Sequence, residues 1–144
     1  MIEAVNRQRK TRIDTKVWES FAEKAAAAIG KSGSTATIAF VSDKAIRQLN
    51  HQFRNVDKAT DVLSFPAAGE TGKLDFGDIA LNLGDIAISV ETAARQAKEN
   101  GLNFDEEVAQ LILHGLLHLS GYDHETDNGE MNRLELRLRK KLGI

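Results

Sequence analysis

Residues 104–120 read FDEEVAQLILHGLLHLS. Asn103 and Glu106 have the spacing of a capping box, and the acidic first turn complements the helix dipole, so a helix opens here. From Val108 to Leu119 it is apolar on nearly every side. A helix facing solvent would keep a polar stripe, so this one is expected to be the central buried helix on which the remainder packs. Two histidines, His114 and His118, interrupt that apolar surface.

Downstream, Asp127 with Glu130 has capping-box spacing and predicts a final amphipathic helix with Met131, Leu134, Leu138 and Leu142 on one face. Upstream, Ser89 caps a helix that ends at Asn100 and Gly101. Before it, Asp78 to Ile88 alternates as a longer strand, or as a strand with a bulge near Gly84. Asp61 to Phe65 predicts a short strand stopped by Pro66, and Ala36 to Val41 predicts another, after which Ser42 caps a helix through about Gln52. Residues 15–29 form a helix with Asp14 or Thr15 as N-cap and Gly30 at its end. Strands and helices interleave, so the expected fold class is α+β: an α/β sandwich with a single small mixed sheet of about four strands and about five helices, formed by residues 1–144 as one domain.

The 144 residues are 42% apolar and 28% charged, a globular composition that disfavours disordered, collagen-like and coiled-coil classes. The chain has no cysteine, which removes disulfides, thiolate metal sites and cysteine nucleophiles together, and leaves His, Asp and Glu to hold any metal. No apolar run is long enough to span a bilayer and the first residues show no apolar leader segment, so the expectation is a soluble cytoplasmic protein without a membrane partner. The net charge of −2 is uneven: residues 1–16 carry five bases against two acids, and residues 133–144 five against one. Arg7, Arg9 and Lys10 at one end, with Arg137 and Lys140 at the other, are candidate contacts for a polyanion backbone if the two ends meet.

Three of the four histidines fall in HGLLHLSGYDH, residues 114–124. A spacing of i, i+4 places His114 and His118 one above the other on a helix, close enough for both rings to reach one ion. Gly121 can adopt a left-handed conformation and turn the chain back, bringing His124 as a third ligand and leaving an open position. The pattern HxxxHxxGxxH is that of zincin-type metalloproteases, except that the glutamate acting as general base in their HExxH motif is replaced by Gly115. Three neutral ligands leave the full charge of a divalent ion in place, suited to lowering a bound water's pKa and to an anionic substrate such as a phosphodiester.

HGLLHLSGYDH, together with LNHQFRNVDKATDVLSFP (49–66) and LGDIAIS (83–89), resembles the YbeY family of bacterial metal-dependent endoribonucleases that act in ribosomal RNA maturation. The resemblance spans roughly residues 35–136 and implies a zincin-like fold. It implies His114, His118 and His124 as metal ligands, with His114 and Arg54 as the catalytic pair. It further implies one zinc ion per chain, single-stranded RNA and rRNA as substrates, and the ribosomal small subunit with its assembly factors as partners. The family's downstream Met and Glu are matched by Met131 and Glu135. Ala59 stands where many members have proline, and Ala67 to Gly72 reads as a longer loop than the family often has. Nickel or manganese would also suit three imidazoles, whereas magnesium would not.

Arg54 has a physical rationale beside such an ion, because a guanidinium binds two phosphate oxygens at once; alone it would read as a surface ion-pair partner of Asp57 or Asp61. Asp85 is a candidate to orient a ligand imidazole or a turn residue at Gly84. Asp123 has the same two readings between the ligands. Two rival functions remain. A metalloprotease would need a carboxylate base from elsewhere, such as Glu107 or Asp85. A non-catalytic assembly factor with a structural metal would need a fourth ligand, such as Asp123, Glu125 or Asp127.

Overall fold

The computed structural model describes residues 1–67, 81–123 and 125–144. In chain order it has β1 (Ile2–Asn6), α1 (Thr15–Ile29), β2 (Thr35–Val41), α2 (Asp43–Arg54), β3 (Val62–Pro66), β4 (Asn82–Ser89), α3 (Val90–Glu99), α4 (Phe104–Leu119) and α5 (Glu130–Leu142). The four strands form one sheet in the order β1-β2-β4-β3. β1 and β2 pair in parallel, as do β2 and β4, while β3 runs antiparallel to β4 along the sheet edge. Among the described residues the sheet is therefore mixed, and five helices accompany it, as the interleaved pattern predicts.

Local chemistry explains most boundaries. Asp14, not Thr15, is the N-cap of α1, its carboxylate accepting the N–H groups of Lys16 and Val17. Ser42 and Ser89 cap α2 and α3 through their side-chain oxygens. The Asn103–Glu106 capping box is present at the start of α4. The bulge falls at Leu83: Thr35 pairs with Asn82 and Ala36 with Gly84. Gly84 has φ +128°, and a Cβ there would collide with the backbone of Phe65 and Ala67, so only glycine lets β3 close against β4 at this point. The expected residues 78–80 of β4 and most of the 67–72 loop lie outside the described residues.

Two boundaries differ from expectation. β1 was not anticipated. In IEAVN only Ile2 and Ala4 turn inward, and five residues beside a charged segment give a period-2 signal too short to read. At α5 the N-cap is Gly129 and no side chain caps it. Asp127 sits further out, its two carboxylate oxygens accepting the N–H groups of Gly129 and Met131 at 2.8 and 2.9 Å.

The main core lies between the sheet and the helices on one face, with α4 at its centre: ten of its sixteen residues are buried. Leu113, Leu116 and Leu117 are fully excluded from solvent and pack with Ile86, Ile88 and Phe40 of the sheet. Gly115 allows this approach, since a Cβ there would lie 2.9 Å from Cδ1 of Ile86. α5 packs outside α4 and α1. α2 covers part of the other sheet face over a smaller cluster of Val41, Ile46, Leu63 and Ala87. Among the described residues no helix is long and apolar enough to cross a membrane.

Candidate metal centre and active site

His114 and His118 project from the last two turns of α4 toward edge strand β3. Their Nε2 atoms lie 3.1 Å apart, with ring planes at 76°. Two nitrogens bound at 2.0–2.1 Å to a tetrahedral ion are separated by about 3.3 Å, so the pair already has the spacing of two ligands sharing one metal. α4 then ends cleanly. Gly121, at φ +101°, donates its N–H to His118 O, and Tyr122 donates to Leu117 O, both at 3.1 Å. This reciprocal closure is the Schellman arrangement, and it turns the chain back toward the histidines as the spacing predicts. His124, the expected third ligand, lies outside the described residues.

The other nitrogen of His114 is held from behind. Nδ1 is 2.6 Å from Oε1 of Glu135 on α5, and Oε2 of the same carboxylate accepts from Arg139 Nη2 at 2.6 Å. Glu135 is only 7% exposed. Burial pushes its carboxyl upward, but the hydrogen bond and charge of His114, with those of Arg139, outweigh this and hold it below the usual range. When His114 is neutral, a carboxylate on Nδ1 favours the tautomer that carries the proton there and leaves Nε2 bare toward the site, the common support for a metal-bound imidazole. On this side a polar cavity of about 590 Å³ is lined by Gln96, Asn100, Glu107, Gln110, Glu135 and Arg139.

On their open side the histidines face a cleft of about 760 Å³. Its walls are Phe53 and Arg54 from the end of α2, Val62 to Pro66 of β3, and the turn from Gly121 to Asp123 with Glu125. Arg54 reaches this cleft because α2 runs two residues beyond the expected Gln52 and is then stopped by Asn55 in a left-handed conformation. The loop after it is fastened by Asn50, whose Nδ2 donates to Lys58 O at 2.8 Å. Among the described residues Arg54 has no carboxylate partner. Asp57, one of its expected partners, is bound in two-pronged fashion by Arg47 at 2.8 and 3.2 Å.

The remaining expected residues lie elsewhere. Asp85 points to the sheet face opposite α4, in a groove with Arg7, Thr37 and Phe65, so it cannot orient His114; Glu135 occupies that position. Asp123 borders the cleft but its Oδ1 takes the Glu125 N–H at 3.0 Å, a local turn. Glu107 is buried and accepts from Asn100 Nδ2 at 3.0 Å on the Glu135 side, two helical turns from His114 and outside the cleft. With Glu107 and Asp85 both turned away, neither carboxylate considered for a protease base reaches the histidines. Gly115 faces Ile86, so a glutamate at that position would enter the core. Lys10 is paired with Glu91 at 3.0 Å. Arg7 borders the open sheet face, whereas Arg137 and Lys140 are exposed on α5 behind the helical layer, and Arg9 is exposed in the segment after β1. Arg7 thus belongs to the sheet side and Arg137 and Lys140 to α5 on the helix side.

Sequence reading missed Glu135 as the partner of His114, Arg139 behind it, and Phe53 at the cleft mouth. The signals available for Glu135 were its match to the family's downstream glutamate, which names no partner, and its i, i+4 spacing with Arg139, which reads as an ordinary solvated pair.

The profile of the family described as Endoribonuclease YbeY matches residues 3–143. The chain belongs to the YbeY family. The match extends beyond the segment 35–136 whose motifs carry the resemblance. Among curated members, Endoribonuclease YbeY of Nautilia profundicola is 53% identical over 102 residues, 71% of this chain and 68% of that protein. That of Koribacter versatilis is 48% identical, covering 86% of this chain and 74% of its own. That of Geobacter metallireducens is 38% identical over 96% of this chain and 91% of its own. The solution structure of a Thermotoga maritima protein superposes with a TM-score of 0.65 at 29% identity, covering 99% of this chain and 89% of that one.

Proposed function

We propose that this YbeY-family chain is a metal-dependent endoribonuclease that cuts single-stranded RNA during ribosomal RNA maturation in the cytoplasm, with zinc as its ion. The observation that carries this reading is the pair of Nε2 atoms 3.1 Å apart at the base of a cleft that also receives Arg54. His114 and His118 would hold the ion, with His124 as the third donor. Bound by neutral imidazoles, a divalent ion supplies Lewis acidity toward a phosphate oxygen and lowers the pKa of a coordinated water.

The chain's own residues do the rest. Glu135 keeps the His114 proton on Nδ1, so Nε2 stays a donor of its lone pair. Arg54, fixed at the end of α2, binds the phosphate oxygens and neutralises charge that grows on them during phosphoryl transfer. Val62, Phe65 and Pro66 wall the cleft with apolar surface, which strengthens both interactions by lowering the local dielectric. Three imidazoles favour zinc, nickel or manganese over magnesium. The ribosomal small subunit and its assembly factors fit the same reading as partners through family membership.

The test is cleavage of a single-stranded RNA by the purified protein, alongside a duplex of the same sequence and elemental analysis. We expect loss of cleavage on chelation, recovery with zinc, and no cleavage by His114→Ala. Cleavage that survives both chelation and His114→Ala overturns the proposal.

A further inference from the structure

Phe53 is 60% exposed in the last turn of α2, immediately before Arg54. Its ring meets Phe65 of β3 edge-on, with centroids 5.2 Å apart at 65°. The two phenyl groups wall the cleft that holds His114 and His118. They also wall a second, mostly apolar groove of about 510 Å³ on the sheet face opposite α4, where Arg7 and Asp85 stand. The aromatic pair is thus the ridge between two depressions, with one arginine in each.

Resting on the single-stranded RNA reading above, we propose that the Phe53–Phe65 ridge is a nucleobase subsite. The base next to the phosphate held at Arg54 stacks on Phe53, the strand continues toward Arg7, and Asp85 reads the edge of the base. An exposed phenyl adjoining a cation in a nuclease cleft has the two elements that recur in single-strand binding, a stacking face and a charge for the backbone. Phe65 and Asp85 are directly paired across β3 and β4, and Thr37 pairs with Asp85 on the other side. The carboxylate therefore stands one strand spacing from the lower ring, on the same sheet face. Among the described residues Asp85 makes no hydrogen bond or ion pair, so both oxygens remain available as acceptors. A carboxylate accepts from the exocyclic amino group of cytosine and finds only an oxygen at that position in uracil. The subsite therefore selects cytosine over uracil. A polyanion is favoured over a protein occupant because the groove and the cleft share Phe53 and Phe65 as a common wall and each of the two carries one arginine.

The test measures binding of the zinc-loaded protein to nuclease-resistant 2′-O-methyl phosphorothioate hexamers of cytidine, of uridine and of an abasic unit, by fluorescence anisotropy. Phe53→Ala should weaken the cytidine hexamer about tenfold and leave the abasic one unchanged, as expected for loss of one stacked base. Phe53→Tyr should bind like the parent, and Phe53→Leu, which keeps apolar bulk without a π face, like the alanine variant. Asp85→Asn should remove the cytidine preference. Matching circular dichroism melts establish that the variants are folded. Equal effects of Phe53→Ala on base-bearing and abasic hexamers, or none on either, overturn the stacking assignment. An unchanged cytidine-to-uridine ratio in Asp85→Asn overturns the edge assignment. A parent protein that cleaves RNA yet binds all three hexamers alike sinks the subsite alone, whereas one that neither binds nor cleaves sinks the nuclease reading with it.

Discussion

Nδ1 of His114 lies 2.6 Å from Oε1 of Glu135, although the two residues are twenty-one positions apart on different helices. The contact joins the packing of α5 on α4 to the orientation of a candidate metal ligand. Arg139, one turn further along α5, holds the second oxygen of the same carboxylate at 2.6 Å. Glu135→Gln keeps an acceptor but removes the charge that secures the tautomer. Metal affinity should fall by about 10- to 100-fold. Competition with a chromogenic chelator reads this directly, and cleavage should be recovered by excess zinc. Unchanged affinity would show that the carboxylate serves α5 docking alone.

Arg54 should tolerate no substitution, including lysine. An ammonium is a point charge and cannot reproduce a planar fork across two phosphate oxygens. Arg54→Lys and Arg54→Ala should both lower kcat by about 100-fold or more while the melting temperature stays put, since the side chain is exposed and unpaired among the described residues. A lysine variant with parental kcat would reduce Arg54 to a general electrostatic role.

Gly115 gives a prediction about the protease likeness. Gly115→Glu restores the metalloprotease HExxH spelling, but the new side chain would meet Ile86, which is 1% exposed. Burying a carboxylate there should cost about 4 kcal/mol or more, seen as a large fall in melting temperature. No peptidase activity should appear. A stable variant that hydrolyses a peptide library would mean that α4 can rotate this face toward the cleft.

Asp43, the first residue of α2, ties three elements together. It accepts from Ser89 Oγ and Thr92 Oγ1 at 2.6 Å each and from Arg95 Nη2 at 2.8 Å. Burial pushes its carboxyl upward, but the hydrogen bonds from Ser89, Thr92 and Arg95, with the arginine's charge, hold it below its ordinary value. A depressed folded-state pKa contributes stability that is complete above the unfolded value of about 3.9 and disappears as pH falls through the folded one. The parent should therefore lose stability through this acid range more steeply than Asp43→Asn, which should be less stable at pH 7. Melting temperatures measured from pH 7 to pH 2 provide the comparison, and parallel curves would deny Asp43 a role in the acid limb.

The parts of the molecule that were legible beforehand are those encoded locally. The caps Asp14, Ser42, Ser89 and Asn103, the left-handed Gly121, and the i, i+4 histidines all act within a few residues of themselves. What escaped depends on partners distant in sequence. β1 gains its identity by pairing with β2, not from its own five residues. Glu135 looks like half of a helical surface pair until α5 docks and delivers it to His114. Asp85 looks equally able to orient a ligand or to serve a turn, and only the pairing of β4 puts it on the other side of the sheet, because β4 alternates its faces and 85 falls on the side away from 86 and 88. Asp127 does serve the start of α5, as its spacing predicts, but its carboxylate acts from outside a glycine cap.

α4 is the element whose leucines make the core and whose two histidines make the candidate metal centre. Among the described residues no hinge or surface loop separates the core from these two histidines, which lie within α4 itself. Heating should consequently abolish cleavage and cooperative structure along one coincident curve, with no milder temperature at which an intact globule has already fallen silent.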